Sequence, residues 1–255
     1  MKKTFLLMAA LLLLSATLFS QANTGDYKVI TVKKGETADT IARKYLKYRS
    51  YKSNLMDYNH IKEAQVKPGM RLKIPYSISK ERAASVKFLR GRVQRKTNGR
   101  WMPIRRSGTI LLQHDIIKTG NKSRIEIHFD NGSKLQLSSN STLALKKYSF
   151  STKGRKTNVN LKSGSLFANV NKLRRKSSFK VSTVTAVAGV RGTQFYVSID
   201  KQKTVKVEVY KGTVKVSANN KVVSVKKNHK TEVISGKAPI KPQKLTSTRR
   251  VKWAR

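Results

Sequence analysis

The chain has 255 residues and carries 56 Lys and Arg against 12 Asp and Glu, which gives a formal net charge of +44. It has no cysteine, and this excludes disulfides, thiol catalysis and cysteine-ligated zinc or iron–sulfur sites. Such a positive charge favours an anionic partner, such as nucleic acid, an acidic membrane surface or an acidic wall polymer. A solvated basic surface without a partner would explain the charge as well.

The N-terminal residues 1–22 have the layout of a secretory signal peptide. A positive MKK is followed by the apolar run TFLLMAALLLLSATLF, and SQA supplies small residues for cleavage after Ala22. An uncleaved membrane anchor is the alternative. No later segment approaches the roughly 18 apolar residues of a membrane span. We therefore expect an exported protein, periplasmic or associated with the cell envelope, for which nucleic acid is not the physiological partner.

The pattern of residues 27–75 predicts the order β-α-α-β. Thr37 is suited to cap the first helix, TADTIARKYLKY, and Ser53 or Asn54 to cap the second, SNLMDYNHI, with Tyr58 facing inward. The Pro-Gly turn in VKPGMRLKIP precedes the last strand. The two strands are expected to pair side by side, with both helices packed on one face.

This segment resembles a LysM domain, on its Gly-Glu-Thr turn, the stretch IARKY, the Asn-His-Ile triplet and the ending PGMRLKIP. The resemblance implies binding of N-acetylglucosamine-containing glycans such as peptidoglycan, in a groove between the first turn and the loop after the second helix. Two local roles would be compatible with it, a helix cap at Thr37 and a turn closure at Asn59. The implied groove residues are Gly35, Glu36, Thr37 and Ala38 on one wall, and Asn59, His60 and Ile61 on the other.

After a predicted polar linker at 76–86, the period of two in RIEIHF, SKLQL, TQFYVSI and TVKVEVY predicts an all-β domain over 87–235. The Asp130-Asn131-Gly132 stretch between two alternating runs is a strong hairpin signal. The fold class expected is a sandwich or a short β-helix. The Pro- and Lys-rich residues 236–255 are predicted to form a basic flexible tail.

The β region resembles the FecR domain, on SRIEIHFDNGSKLQL, FKVSTVTAVAGVRGTQFYV and TVKVEVYKGTVKV. FecR-type domains occur in the periplasmic parts of sigma-factor regulators, so the resemblance implies a scaffold, interaction or signalling module. The sequence shows neither the internal membrane span nor the cytoplasmic anti-sigma segment of such a regulator. We therefore expect a structural or adaptor role.

Arg191 stands out because it lies inside an apolar run between glycines. Catalysis, a hook for an anionic ligand and a structural fastener are the alternatives, and the fastener is favoured because glycines permit a bend and a guanidinium can cap several acceptors. Its preferred partners are Asp115 and Asp130, which lie at predicted turns. The structural motif comprises Gly189, Arg191, Gly192 and Thr193.

These observations predict a non-enzymatic peptidoglycan-binding protein of the cell envelope, without catalytic residues, metal or cofactor. Its β domain is expected to contact an envelope protein or anionic envelope polymers. The alternative is a wall-modifying enzyme that its LysM domain targets, but no paired carboxylates, metal-type histidine spacing or nucleophile constellation stands out.

Overall fold

A computed structural model describes residues 27–151, 154–172, 177–190 and 192–247. The predicted signal peptide and Arg191 lie outside these ranges. Two units follow one another along the chain, a small unit with helices and a larger all-β unit, and each has its own hydrophobic core. Within the described ranges, no helix has the length and apolar character that a bilayer span requires.

The small unit has the predicted order of elements. Strands β1 (Tyr27–Thr31) and β2 (Arg71–Pro75) pair antiparallel, and between them lie helices α1 (Ala38–Tyr45) and α2 (Lys52–Tyr58). Two 3-10 turns, Arg49–Tyr51 and Glu63–Gln65, precede and follow α2. The largest fully buried side chains of this core are Ile41, Leu46, Leu55, Leu72 and Ile74.

Helix α1 begins where the sequence predicts because Thr37 is its N-cap. The Thr37 Oγ1 accepts a hydrogen bond from the Thr40 N–H, and the Thr40 Oγ1 accepts one from the Thr37 N–H at 2.7 Å. These bonds satisfy donors that the first turn of a helix leaves free. The spacing of Ala38, Ile41 and Ala42 then places one apolar face against the core.

Helix α2 differs from the prediction at its N-terminus and in its buried face. It begins at Lys52 with Tyr51 as N-cap, so the predicted caps Ser53 and Asn54 lie inside the helix. The 3-10 turn at Arg49–Tyr51 leads directly into α2 and takes the place of a side-chain cap. The buried face of α2 is formed by Leu55 and Met56, and Tyr58 is 42% exposed, which corrects its predicted inward orientation.

The all-β prediction for the second unit is confirmed, and its strands form two sheets that share β11. Sheet I has the order β6-β3-β8-β9-β11-β14-β15-β18-β19, and sheet II has the order β5-β4-β7-β10-β11-β12-β13-β16-β17. The strands of sheet I are β3 (Arg82–Arg90), β6 (Ile110–Leu112), β8 (Arg124–Phe129), β9 (Lys134–Leu137), β14 (Thr193–Ile199), β15 (Val205–Lys211), β18 (His229–Val233) and β19 (Gln243–Lys244). Those of sheet II are β4 (Val93–Thr97), β5 (Arg100–Pro103), β7 (Ile116–Thr119), β10 (Thr142–Ser151), β12 (Ser178–Ser182), β13 (Val187–Val190), β16 (Thr213–Ala218) and β17 (Lys221–Lys226), and β11 (Gly154–Val170) passes from sheet II to sheet I.

One core lies between the inner faces of the two sheets. The rings of Phe129 in β8 and Phe179 in β12 meet edge to face, with centroids 5.5 Å apart, and so join sheet I to sheet II. The hairpin predicted at Asp130-Asn131-Gly132 is confirmed, because β8 and β9 pair antiparallel across it and Gly132 has a φ of +78°.

The segment predicted as a linker at 76–86 divides into two parts. Residues 76–81 pack on the small unit, where Tyr76 and Ser79 are buried and the Lys80 N–H donates to the Tyr45 carbonyl at 2.9 Å. Residues 82–86 belong to β3, and Ala83, Ala84 and Val86 enter the core of the β domain. The β domain of the structure therefore begins at Arg82, five residues before the predicted start.

The segment predicted as a flexible tail begins with ordered structure. Up to residue 247 it follows β18, where the Thr231 Oγ1 donates to the Ile240 carbonyl at 2.7 Å and β19 pairs with β18. This segment supplies partners for the edge of sheet I, which would otherwise present unpaired backbone groups. The remainder of the predicted tail, residues 248–255, lies outside the described residues.

Candidate functional site

The first wall of the candidate groove is the turn between β1 and α1. Gly35 has a φ of +80°, a conformation that glycine adopts without strain. Glu36 closes the turn, because one carboxylate oxygen accepts from the Lys33 N–H at 2.9 Å and the other from the Lys44 ammonium at 2.7 Å. The Lys44 ammonium and then the Lys33 N–H lower the pKa of Glu36 below its usual value. Glu36 and Thr37 therefore use their polar side-chain groups within the domain.

The second wall follows α2 and is held by Asn59. The Asn59 side-chain amide donates to the Leu55 carbonyl at 2.8 Å and to the Lys73 carbonyl at 2.9 Å, and its oxygen accepts from the Lys73 N–H at 2.8 Å. The amide thus pairs with the Lys73 peptide of β2 as a neighbouring strand would. His60 follows with a φ of +54° and is exposed. The Ile61 N–H donates to the Met56 carbonyl at 3.1 Å, which completes the C-terminal turn of α2.

Both walls border one core, because Ala38 is buried in it and Ile61 packs against it. The groups left to meet a ligand are the backbone of the Gly35 turn, the aliphatic surface of Ile61 and the exposed His60. This combination can bond amide and hydroxyl groups of a sugar and pack on its apolar face. The side chains of Glu36 and Asn59, which the sequence places at the site, hold its shape in the structure.

We expect Asn59→Ala to lower the free energy of unfolding of the small unit by about 2 kcal/mol, since it removes three hydrogen bonds and leaves the Lys73 peptide unpaired. Urea titration of the purified protein measures this loss. The matched control is Asn54→Ala, an exposed asparagine inside α2, which should change stability by less than about 0.5 kcal/mol. Equal effects of the two variants would refute the role assigned to Asn59.

The glycine motif of the β domain lies where the chain crosses between the sheets. Gly189 is in β13 of sheet II, whereas Thr193 begins β14 of sheet I, so the chain changes sheets between the end of β13 and Thr193. Gly192 has a φ of +65°, and its carbonyl oxygen lies 2.8 Å from the position that a Cβ of Gly212 would take. A sharp corner with close backbone approach explains glycine at both positions. Arg191 is outside the described residues, so its fastener role stays a prediction.

The two carboxylates expected to bind Arg191 contact other groups in the structure. Asp115 is buried and accepts hydrogen bonds from the Leu112 N–H at 2.9 Å and from the Thr97 hydroxyl. Burial raises its pKa to about 6, although the Leu112 N–H and the Arg95 guanidinium oppose this shift. Asp130 forms ion pairs with Lys47 and with Arg82, the latter at 3.2 Å.

Lys47 joins the two units, although the sequence did not predict a role for it. It follows α1, and its side chain is 4% exposed. The ammonium reaches Asp130 in the β8–β9 turn and lies 5.0 Å from the ring centroid of Tyr148 in β10. Lys28 and Glu81 form a second pair between β1 and the segment before β3, at a more exposed position. A helical pattern places Lys47 at a helix end but carries no sign of burial.

Comparisons with known proteins agree with the division into two units. Residues 30–75 match the family model of the LysM domain, and residues 115–215 match the family model named FecR protein. A search of the curated proteins finds no match.

Solved structures similar to this chain include two crystal structures of a candidate anti-sigma factor from Parabacteroides distasonis ATCC 8503, at 2.50 and 1.65 Å resolution. Their sequences are 20% and 21% identical to this chain, with TM-scores of 0.43 and 0.42. The match covers 51% of this chain and 59% of each of those chains. By its two family matches, the chain carries a LysM domain followed by a FecR-like domain, as the sequence predicts.

Proposed function

We propose that the protein is a non-enzymatic protein of the cell envelope that binds peptidoglycan through its LysM domain and uses its FecR-like domain as a scaffold, interaction or signalling module. The observation that carries this proposal is the match of residues 30–75 to the LysM family, whose members bind N-acetylglucosamine-containing glycans. Residues 1–22 support export, because they have the composition of a signal peptide.

The geometry of the LysM domain supports glycan binding at the two walls. Internal bonds of Glu36, Thr37 and Asn59 fix the backbone on both sides before a ligand arrives. A site that is already ordered loses little conformational entropy when the ligand binds. The Gly35 turn would then bond the N-acetyl and hydroxyl groups, while Ile61 packs on the methyl group or the ring face.

The connection between the domains supports a scaffold role for the β domain. Residues 76–81 pack on the LysM domain, and the buried Lys47–Asp130 pair spans the boundary. A flexible linker would let the β domain move independently of the wall. A packed connection instead gives the β domain a fixed orientation relative to the glycan that the LysM domain holds.

We expect Ile61→Ala to weaken binding of the mature protein, residues 23–255, to chitin pentasaccharide and to insoluble peptidoglycan by roughly tenfold, because an apolar contact with the sugar is lost. Calorimetry measures the first affinity and co-sedimentation over a salt series measures the second. The matched control is Ile78→Ala, which truncates another partly buried isoleucine that packs on the same core but follows β2, near the C-terminal end of α1.

Equal affinity of the Ile61 and Ile78 variants would contradict the placement of the site. Peptidoglycan binding that salt abolishes in every variant, without any binding of the uncharged chitin oligosaccharide, would contradict the proposed function itself. In that case the charge of the protein, and not a sugar site, would retain it on the wall.

A further inference from the structure

The charges of the β domain are divided unequally between its two sheets. The strand carboxylates Glu126, Glu208 and Glu232 all lie in sheet I. Within the described residues, the strands that form sheet II contain no aspartate or glutamate. The strands of sheet II therefore carry lysine and arginine side chains that no carboxylate from a strand of the same sheet offsets.

On strands β11, β12, β16 and β17, four lysines lie on the outer face of sheet II, and we call them the lysine face: Lys156, Lys180, Lys215 and Lys226. All four are exposed, and their strand neighbours Phe179, Val181, Val214 and Val216 are buried on the opposite side. Among the described residues, no carboxylate lies within ion-pair distance of any of the four. Their ammonium groups face solvent and can meet an external anion.

The spacing of two of these lysines is set by the strand register. Lys180 in β12 pairs with Gly189 in β13, and Gly189 pairs with Lys215 in β16. The two lysines therefore stand on alternate strands, about 10 Å apart, because neighbouring strands are separated by about 4.8 Å. Gly189 between them has no side chain, and the space above it is open. A ligand chain can thus lie flat across the strands between the two ammonium groups.

The surroundings of the lysine face are polar and flat. Asn158 and Ser224 continue the row of Lys180 and Lys215 on either side, and a parallel row holds Asn160, Ser182 and Ser217. The Ser182 hydroxyl donates to the Asn158 Oδ1 at 3.2 Å, and the remaining amide N–H and hydroxyl groups of the two rows can bond sugar hydroxyls. Nucleic-acid surfaces typically add aromatic stacking platforms, and membrane surfaces add large apolar anchors. From β12 to β17, the described outer face offers neither an aromatic ring nor a leucine, although Val187 and Val222 are exposed.

We propose that the lysine face binds an acidic polysaccharide that carries one carboxylate on every second sugar. The length of one hexopyranose is close to the separation of neighbouring strands, so a polymer that crosses the strands places one sugar over each strand. Its carboxylates then meet Lys180 and Lys215, and the uncharged sugar between them lies over Gly189. This site is separate from the LysM groove and does not depend on glycan binding there.

The experiment uses the mature full chain and fluorescently labelled oligosaccharides of unsulfated chondroitin. This polymer carries a carboxylate on alternate sugars and contains no N-acetylglucosamine. The double variant Lys180→Gln/Lys215→Gln should raise the dissociation constant of the oligosaccharide by roughly tenfold or more, since each substitution removes one attraction between an ammonium group and the anionic ligand. The matched control Lys87→Gln/Lys201→Gln removes two exposed lysines, one in β3 of sheet I and one just after β14 of sheet I. It should change the dissociation constant by less than about twofold. The methyl ester of the same oligosaccharide should bind at least tenfold more weakly to the wild type.

Three outcomes would overturn the proposal. Equal losses in the two double variants would mean that total charge alone attracts the polymer. Equal affinity for the methyl ester would mean that the carboxylates are not recognised. The third outcome is that Lys180 and Lys215 are needed to bind anionic phospholipid vesicles or duplex DNA but not to bind chondroitin. The lysine face would then belong to another class of partner. Chitin pentasaccharide, measured in parallel, should bind all variants alike, so failure of the LysM proposal is seen separately.

Discussion

Replacing Lys47 with methionine is expected to lower the free energy of unfolding by about 3–5 kcal/mol, the largest effect of any single substitution proposed for this chain. The side chain of Lys47 is 4% exposed, and its ammonium lies between Asp130 and the ring of Tyr148. Methionine has a similar length, so the packing is largely kept and the lost term is electrostatic. Asp130, whose side chain is 21% exposed, would retain only Arg82 among its described ion-pair partners.

The measurement is a urea titration of the full chain, with the Lys28→Met variant as matched control. Lys28 also forms an ion pair, with Glu81 in the segment just before the β domain, but the two side chains are 23% and 43% exposed. Exposed ion pairs contribute about 0–1 kcal/mol because water and salt screen them. If Lys47→Met costs no more than Lys28→Met, the buried pair does not hold the domains together. A double-mutant cycle with Asp130→Asn then isolates the coupling between Lys47 and Asp130.

How much the sequence predicts depends on whether a feature is local. The helix cap at Thr37 and the hairpin at Asp130-Asn131-Gly132 are encoded by residues a few positions apart, and both predictions are confirmed. The predicted start of α2 was wrong because a 3-10 turn, which no characteristic side chain marks in the sequence, replaces the expected cap. The sequence predicts a turn closure at Asn59 but not its main partner, the backbone of Lys73, because that residue is 14 positions away.

Long-range pairing explains what the sequence could not give. Lys47 is one of 56 basic residues, and nothing in the neighbouring sequence distinguishes it from Lys44, which forms a local pair with Glu36. Its burial follows only when the β8–β9 turn and β10 meet the end of α1. The lysine face has the same origin, because Lys180 and Lys215 lie 35 positions apart in sequence and become neighbours through Gly189.

Asp115 makes the stability of the β domain depend on pH in a direction opposite to that of most carboxylates. Its pKa is raised from 3.8 to about 6, first of all by burial. Between these two values the folded state binds more protons than the unfolded state, so stability falls as pH rises through the window. The loss is complete above about pH 6 and amounts to about 3 kcal/mol, from two pKa units at about 1.4 kcal/mol each.

Asp115→Asn should therefore gain about 3 kcal/mol relative to the wild type between pH 4 and pH 7, when both are titrated with urea and followed by circular dichroism. Asparagine keeps an oxygen for the Leu112 N–H but has no charge to bury.

Asp39→Asn should change the pH dependence of stability in the opposite direction, because hydrogen bonds from Arg49 and then Lys52 lower the pKa of Asp39 to about 2. The contribution of Asp39 to stability is present above about pH 4 and is lost as the pH falls towards 2. The stability of Asp39→Asn should therefore approach that of the wild type only in acid. If the difference between the Asp115 variant and the wild type does not change from pH 4 to pH 7, Asp115 is not titrating in a buried site.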